Sequence, residues 1–257
     1  FFRNIRHHGI RRTFSFLIRK LIEIKAFKAS DLVVVNSDYT LKTLKRIYGD
    51  KHSFLRIYKG VNLQTFGSNN SNQSNLANKI YMISVGSDWK SKNFLFLMDV
   101  VDQINSKYGR VVISLTIVGV NDKNFAERCK KFNFVNNIGP LQRDDLVKLM
   151  KKHDLYVLAT KDEALGVSLL EASALGLFVM GSNAGGIPEI IDDNKSGILF
   201  DPNNTESLFL AVERYMRLTS EERTVLIKKT KKKVQDFSET IMLKNICELY
   251  EKKFSLL

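Results

Sequence analysis

The sequence predicts an α/β protein built on a doubly wound parallel sheet. Short apolar runs of strand length alternate with helical patterns over residues 79–235, and repeated units of this kind require parallel strands joined by crossover helices. The composition agrees, because 44% hydrophobic and 26% charged residues exclude disordered and collagen-like chains. Ligands of such sheets bind at the carboxyl ends of the strands, so functional residues are expected in the loops that follow them.

A separate set of elements precedes this alternation. Residues 1–28 carry eight basic side chains against a single acidic one, interleaved with apolar residues, which is the pattern of a basic amphipathic helix. The β-branched run at 31–36 predicts a strand, and Ser37 suits the N-cap of a helix that ends at Tyr48. We therefore treat residues 1–66 as a region distinct from the main sheet.

A linker and six strand–helix units follow. Residues 67–78 are almost wholly small and polar, which is linker composition, and we place the domain boundary there. Beyond it, strands are predicted at 80–85, 114–118, 134–138, 155–158, 178–180 and 198–200. The helices between and after them are predicted at 93–107, 124–132, 143–152, 167–175, 187–191 and 205–218. Residues 220–257 predict two further helices.

Charge and cysteine content limit the functional classes. The chain has 40 Lys and Arg against 27 Asp and Glu, an excess that attracts phosphate groups but does not distinguish nucleotides, nucleic acid and lipid headgroups. The lysine cluster at 228–233 is expected to be a solvated helix face. Cys129 and Cys247 have no zinc-site spacing and favour a reducing compartment. No apolar run is long enough to span a bilayer, and residues 1–28 are too charged for a signal peptide, so we expect a cytoplasmic location.

The segment 162–176 carries the most specific chemistry. Seven residues separate Glu163, in a loop, from Glu171, about one turn inside the following helix, so both carboxylates can face one ligand. Between them, Gly166 allows close backbone approach, and the N–H groups of Val167 and Ser168 at the helix start suit a diphosphate. Carboxylates accept hydrogen bonds from hydroxyl groups, so the segment points to a nucleotide sugar. By spacing alone, a capped helix with two solvated glutamates is the more common interpretation.

The segment resembles the E-x7-E signature of retaining glycosyltransferases of family 4, which have the GT-B fold. Further motifs occur in the order of that family, at residues 29–37, 58–62 with Phe66, 84–86 with Lys92 and Asn93, 116–119, 137–139, 185–189 and 196–199. The resemblance implies a Rossmann-like, nucleotide-sugar donor-binding domain over 79–235. It also implies that residues 1–66 are the end of an acceptor-side domain with the crossover, and that the helix in 236–257 packs back toward that portion. The acceptor-binding domain and its histidine would then lie outside the chain, leaving His7 and His8 as surface or interface residues.

Roles for individual residues follow from the resemblance. Glu171 would accept hydrogen bonds from the donor ribose, Glu163 would contact the transferred sugar, and Lys92 would neutralise the leaving diphosphate. Glu163 and Lys92 are therefore the catalytic candidates. The other donor-binding candidates are Gly86, Lys90, Leu141, Gly166, Val167 and Ser168.

Two of these donor-binding candidates need comment. Leu141 would line the base pocket. Lys90 would partly replace the arginine that the family carries where this chain has Ser87, although an ammonium lacks the bidentate reach of a guanidinium. We therefore expect weaker donor binding or a rearranged loop.

The implied function is the donor-binding half of a retaining glycosyltransferase. It would move a sugar from a UDP-, GDP- or ADP-linked donor to a saccharide or lipid-linked acceptor, in surface polysaccharide or glycolipid synthesis. No metal or other cofactor and no nucleic acid partner are expected, and no Asp-x-Asp triplet occurs. Residues 1–28 would dock peripherally on the anionic inner face of a membrane. The alternatives are a catalytically silent nucleotide-sugar-binding subunit that needs a partner with an acceptor domain and, ranked last, a Rossmann dehydrogenase, whose Gly-x-Gly-x-x-Gly motif is absent.

Overall fold

A computed structural model describes residues 21–49, 52–66 and 79–254 of the 257-residue chain. Most of the predicted basic helix and all of the predicted linker lie outside these ranges, so membrane docking through residues 1–28 stays a prediction. The described residues divide into two compact units, one ending at Ile57 and the other beginning at Tyr58. Each unit is described by itself below.

The first unit contains two helices and a small parallel sheet. Residues 21–29 are helical (α1), and three elements follow: β1 (Val33–Val35), α2 (Asp38–Tyr48) and β2 (Phe54–Arg56). The predicted N-cap is confirmed, because the Ser37 hydroxyl accepts a hydrogen bond from the Thr40 N–H at 3.0 Å. The strand β2 was not predicted, since its three residues show no alternating pattern of their own and lie outside the regular alternation of residues 79–235.

The second unit carries the predicted alternation of strands and helices. Its strands are β3 (Ile80–Val85), β4 (Ile113–Val118), β5 (Val135–Ile138), β6 (Leu155–Leu158), β7 (Phe178–Ser182) and β8 (Ile198–Phe200). Its helices are α3 (Leu63–Phe66), α4 (Phe94–Lys107), α5 (Lys123–Cys129), α6 (Arg143–Met150), α7 (Val167–Leu175), α8 (Ile187–Ile190), α9 (Thr205–Arg217), α10 (Ser220–Lys233) and α11 (Glu239–Phe254), with a 3-10 turn at Val234–Phe237. Among the described helices, none is both long and apolar enough to cross a membrane.

All six strands of the second unit form one parallel sheet. Their order is β5-β4-β3-β6-β7-β8, and every neighbouring pair is parallel. The chain therefore moves outward from β3 in one direction, then returns to the centre at β6 and moves outward in the other. This confirms the predicted fold class of a doubly wound α/β sheet.

Apolar side chains cover both faces of this sheet. One face packs against α4, α5 and α9, through buried residues such as Leu97, Phe125 and Val212. The opposite face packs against α6, α7 and α8. Almost every side chain of the central strand β6 is therefore inaccessible to solvent, which fixes the position of the loop that follows it.

The crossover segment packs with the second unit. Val61 and Phe66 are buried in the same cluster as α7, in agreement with the second compact unit beginning at Tyr58. The predicted domain boundary at 67–78 stays a prediction. Val61 also pairs with the start of α11, where the Glu239 N–H donates to the Val61 carbonyl at 2.9 Å. Gly60 permits this approach, because a Cβ there would lie 2.5 Å from the Glu239 Cα.

Candidate functional site

The candidate site lies where the winding direction of the sheet changes. The strands β3 and β6 are neighbours, but the chain leaves β3 toward β4 and leaves β6 toward β7 on the opposite side. The two loops that follow these strands therefore diverge and leave a crevice, which is where open α/β sheets bind ligands. Lys92 lies in the loop after β3, and Glu163 lies in the loop after β6.

Lys92 and Glu163 meet across this crevice. The Lys92 ammonium donates a hydrogen bond to Glu163 Oε2 in a partly buried ion pair. Gly86 makes room for the lysine, because a Cβ at that position would lie 2.5 Å from the Lys92 Cγ. The two predicted catalytic residues, 71 positions apart in sequence, are thus brought into direct contact, and the predicted Gly86 shapes the path of the lysine stem.

Thr160 connects the two loops that carry this ion pair. Its buried hydroxyl oxygen lies 2.8 Å from the Ser91 carbonyl and 2.8 Å from the Asp162 carbonyl. Each of these carbonyls belongs to the residue that immediately precedes Lys92 or Glu163. Thr160 therefore fixes the spacing between the two loops, although its single proton can be donated to only one carbonyl at a time.

A glycine pair supports Glu163 from the other side. The Gly186 N–H donates to the Glu163 carbonyl at 2.8 Å. Gly185 has a φ of +60°, and a Cβ there would lie 2.0 Å from the same carbonyl oxygen. Only glycine can adopt this backbone conformation and also lie so close to the Glu163 carbonyl group. The loop before α8 therefore packs tightly against the Glu163 backbone and holds it in place.

The start of α7, four residues after Glu163, has backbone N–H groups without a partner inside the helix. Gly166 is the N-cap residue, with a φ of +95°, and offers no side-chain cap. The first helical hydrogen bonds are made by Leu169 and Leu170 to the Gly166 carbonyl, so the preceding N–H groups of Val167 and Ser168 have no partner within the helix. These groups and the helix dipole favour an anion at this point.

Glu171 lies about one turn into α7, and its side chain is 17% exposed. Burial raises the pKa of its carboxyl group, while the positive charges of Arg143 and Lys59 act in the opposite direction. Arg143 Nη2 lies 3.5 Å from Glu171 Oε1, and its guanidinium lies over the Phe66 ring at 4.8 Å. The carboxylate of Glu171 therefore interacts with cationic groups, and the hydroxyl groups of a ligand can replace these groups as hydrogen-bond donors.

Both glutamates influence the buried Tyr156 on β6. Burial raises the pKa of its phenol, and the negative charges of Glu171 and Glu163 raise it further. That Glu163 and Glu171 face one ligand stays a prediction.

Two other predicted donor-binding residues, Lys90 and Leu141, make no side-chain hydrogen bond or ion pair with Lys92, Glu163 or Glu171 among the described residues. The Lys90 ammonium lies 5.2 Å from the centroid of the Trp89 ring, in a surface cleft of about 480 Å³. Among the described residues, no hydrogen bond or ion pair joins Lys90 to Lys92, Glu163 or Glu171. Leu141 follows β5, and its side chain is 37% exposed. Donor binding by Lys90 and Leu141 stays a prediction.

Several residues of the site were missed from the sequence. Thr160 carried a usable signal, because it is a polar residue at the carboxyl end of a central parallel strand. Tyr156 carried none, since it occurs within an apolar run and reads as a core residue. Arg143 was identified only as the start of a helix. Among the described residues, no group of three or more His, Cys, Asp or Glu could hold a metal ion, and the expectation of metal-independent chemistry stays untested.

Comparison with known families gives a match over most of the chain. The model of the family described as glycosyl transferases group 1 matches residues 68–233. A sulfoquinovosyl transferase of Arabidopsis thaliana is 31% identical over an alignment of 212 residues, which covers 76% of this chain and 40% of that protein. The UDP-Gal:alpha-D-GlcNAc-diphosphoundecaprenol alpha-1,3-galactosyltransferase of Escherichia coli is 24% identical over 77% of this chain and 54% of its own length. The chain thus spans about half or less of these relatives.

Solved structures share the fold. Sucrose-phosphate synthase from Thermosynechococcus elongatus superimposes with a TM-score of 0.82 at 22% identity, over 93% of this chain and 62% of that one. The Anabaena protein HepE in complex with UDP-glucose superimposes with a TM-score of 0.77 at 18% identity, over 88% of this chain and 65% of that one. At these identities the likeness concerns the architecture, and it agrees with the sheet described above.

Proposed function

The chain belongs to the glycosyl transferases group 1 family, and we propose that it is the donor-binding half of a retaining, nucleotide-sugar-dependent transferase. The observation that carries this proposal is the Lys92–Glu163 ion pair at the crevice between β3 and β6, next to the uncapped start of α7. A cation, free N–H groups and two carboxylates there combine donors for a diphosphate with acceptors for sugar hydroxyls. A nucleotide sugar needs both.

The proposed binding mode assigns each group a ligand atom. The diphosphate would lie against Val167 and Ser168 at the start of α7 and recruit the Lys92 ammonium from Glu163. Glu163, released from the lysine, would accept hydrogen bonds from the transferred sugar. Glu171 would accept them from the ribose, with Leu141 beside the base. The present ion pair thus keeps both side chains of the site in place until a ligand separates them.

The chemistry is stabilisation of a leaving group. The bond between the anomeric carbon and the diphosphate oxygen breaks, and its electron pair stays on that oxygen. The acceptor hydroxyl oxygen forms the new bond to the anomeric carbon, and its proton passes to the departing diphosphate oxygen. The negative charge that develops on the diphosphate would be met by Lys92 and the α7 N–H groups, which are already in position before the reaction. The scheme does not require a metal ion.

Names of related proteins support the substrate classes. The HepE structure contains UDP-glucose, and the relative from Escherichia coli is named for a UDP-linked sugar and a lipid-diphosphate-linked acceptor. We accordingly propose a nucleotide-sugar donor and a saccharide or lipid-linked acceptor. If the chain binds the donor without transferring sugar, it would instead be a silent binding subunit that needs a separate acceptor domain.

A thermal-unfolding panel tests the proposal. The chain is heated with UDP, GDP, ADP and their glucose derivatives. We expect the nucleotides of one base to raise the midpoint of thermal unfolding, because a ligand at 100 times its Kd adds about 2.7 kcal/mol to the stability of the folded state. Lys92→Ala should lose most of that shift, whereas Lys148→Ala, an exposed control on α6, should keep it. No shift with any of the six ligands would contradict the proposal. The chain is then incubated with radiolabelled donor and a lipid extract. Radiolabel transferred to the extract indicates a transferase, and binding without transfer indicates a silent binding subunit.

A further inference from the structure

A buried tyrosine holds the side chain of Ser168, the second residue of α7. The Tyr156 hydroxyl donates a hydrogen bond to Ser168 Oγ at 2.7 Å. The central strand β6, which carries Tyr156, therefore contacts the start of α7 through this phenol group.

This bond leaves the Ser168 proton available. A hydroxyl group has one proton to donate and two lone pairs to accept with, and here one lone pair is filled by Tyr156. Among the described residues, the Ser168 hydroxyl has no acceptor for its own proton. The Cα–Cβ bonds of a helix tilt toward its N-terminus, so the side chain of this residue extends in the same direction as the free N–H groups of α7.

The Tyr156 hydroxyl is the donor in this hydrogen bond. Tyr156 is fully buried, and burial together with the nearby Glu171 and Glu163 charges raises the pKa of its phenol. The phenol consequently keeps its proton at neutral pH and is able to donate it to Ser168. Ser168 itself is partly exposed, so a ligand at the start of α7 can reach its hydroxyl group.

We propose that Tyr156 is a positioning residue, which fixes the Ser168 hydroxyl as an additional hydrogen-bond donor to the anion at the start of α7. The inference rests on the proposed function, in which that anion is the distal phosphate of a nucleoside diphosphate. It goes beyond the backbone contacts of α7, because it assigns a side-chain contact and names the residue behind it. A plain packing role for the Tyr156–Ser168 bond would contribute to folding but would not discriminate between ligands.

The test compares UDP with UMP, which lacks the distal phosphate; the corresponding pair is used if the thermal panel selects another base. Calorimetric titration of Ser168→Ala should show UDP bound about tenfold more weakly, the loss of one hydrogen bond to a charged group, and UMP bound within twofold of the unaltered chain. Ser168→Thr keeps a hydroxyl and should retain UDP affinity within about threefold. Ser173→Ala, which removes a buried hydroxyl on the same helix that bonds the Leu169 carbonyl, is the control and should change neither affinity.

Tyr156→Phe tests the positioning step. It should weaken UDP binding several-fold in the otherwise unaltered chain and by less than twofold when Ser168 is already alanine. Thermal unfolding without ligand reports whether the variant folds, and the Ser168 variants decide the matter if it does not. Three results would each overturn this inference without affecting the proposed function. They are an unchanged UDP affinity in Ser168→Ala, equal losses of UDP and UMP affinity in that variant, and an equal effect of Tyr156→Phe with and without Ser168→Ala. Failure of the unaltered chain to bind any nucleotide would overturn the proposed function and this inference with it.

Discussion

Glu163 and Glu171 belong to one strand-to-helix connection but have different surroundings. Glu163 is neutralised by Lys92, and its backbone is held by Thr160 and the glycine pair before α8. Glu171 projects from a buried helix, where burial raises the pKa of its carboxyl group and Arg143 reaches it only at 3.5 Å. A ligand that binds the Glu163 carboxylate must therefore first break its contact with Lys92. The Glu171 carboxylate can still accept hydrogen bonds from ligand hydroxyl groups.

This difference predicts different effects of removing each carboxylate. Glu171→Ala should weaken binding of the nucleoside diphosphate itself by about 1 to 3 kcal/mol, the range for losing a hydrogen bond to a charged group. Glu163→Ala should leave diphosphate affinity unchanged, because it frees Lys92, but should reduce the gain in affinity that the attached sugar provides. Calorimetric titrations with UDP and UDP-glucose measure both, and Glu206→Ala, exposed in the first turn of α9, is the control. Equal losses of UDP affinity in both variants would contradict this division of roles.

At the scale of elements, α7 was the easiest helix to predict and the most informative. Gly166 and Gly176 enclose an apolar run, and both adopt the left-handed conformation at the two ends of the helix. The prediction of 167–175 is confirmed for that reason. The helix α5 was predicted to reach residue 132 but ends at Cys129, because Lys131 and Phe132 close tighter turns on Arg128 and Cys129.

Short elements and lateral contacts could not be predicted. The strand β2 and the helix α3 have three and four residues, and segments of that length show no periodicity of their own. The equally short β8 and α8 were predicted because they continue the alternation of strands and helices. The same limit applies to side chains such as Tyr156 and Arg143. Their contacts with Ser168 and Glu171 join different elements, so no local pattern indicates them.

The loop between β7 and α8 gives a prediction at this scale. Gly185 and Gly109 have nearly equal φ values, +60° and +61°, but an added Cβ would meet the Glu163 carbonyl at 2.0 Å in the first case and nothing within 4 Å in the second. Gly109→Ala should therefore cost only the backbone strain, about 1 to 2 kcal/mol. Gly185→Ala should cost more in urea unfolding and should also reduce binding of UDP-glucose relative to UDP, since it displaces the Glu163 backbone. Equal stabilities and unchanged ligand preference would show that the glycine pair does not support Glu163.

At the scale of the whole molecule, the site depends on the order of strands. Alternating patterns predict a parallel sheet, but they do not state which strands are neighbours. Lys92 meets Glu163 only because β3 pairs with β6, a contact between residues far apart in sequence. The resemblance to a known family assigned both residues to one donor site, but neither it nor local physical chemistry predicted which strands are neighbours.

An ion pair connects α4 and α9 on the face of the sheet opposite α7. Glu213 on α9 is buried, with Lys107 at the end of α4 donating to Oε1 and Arg217 donating to Oε2 at 2.8 Å. The hydrogen bond from Lys107, supported by Arg217 and opposed by burial, holds the pKa of Glu213 below its ordinary value. A carboxyl group with a lowered pKa in the folded state stabilises the fold above the unfolded-state pKa, about 4.3, and loses that contribution as the pH falls through the folded-state value.

Glu213→Gln should consequently lower the midpoint of thermal unfolding at pH 7, and the difference from the unaltered chain should close as the pH falls below about 4. The variant keeps the volume and one acceptor oxygen, so the loss reports the charge. Glu127→Gln is the matched control, because Glu127 pairs with Lys130 in the open, with both side chains about 70% exposed, and such pairs contribute little. Circular dichroism melts at pH 7, 5, 4 and 3 provide the comparison. A difference in midpoint that persists unchanged at pH 3 would show that the stabilisation does not come from the ionised Glu213 carboxylate. An equal decrease in midpoint for Glu127→Gln would show the same.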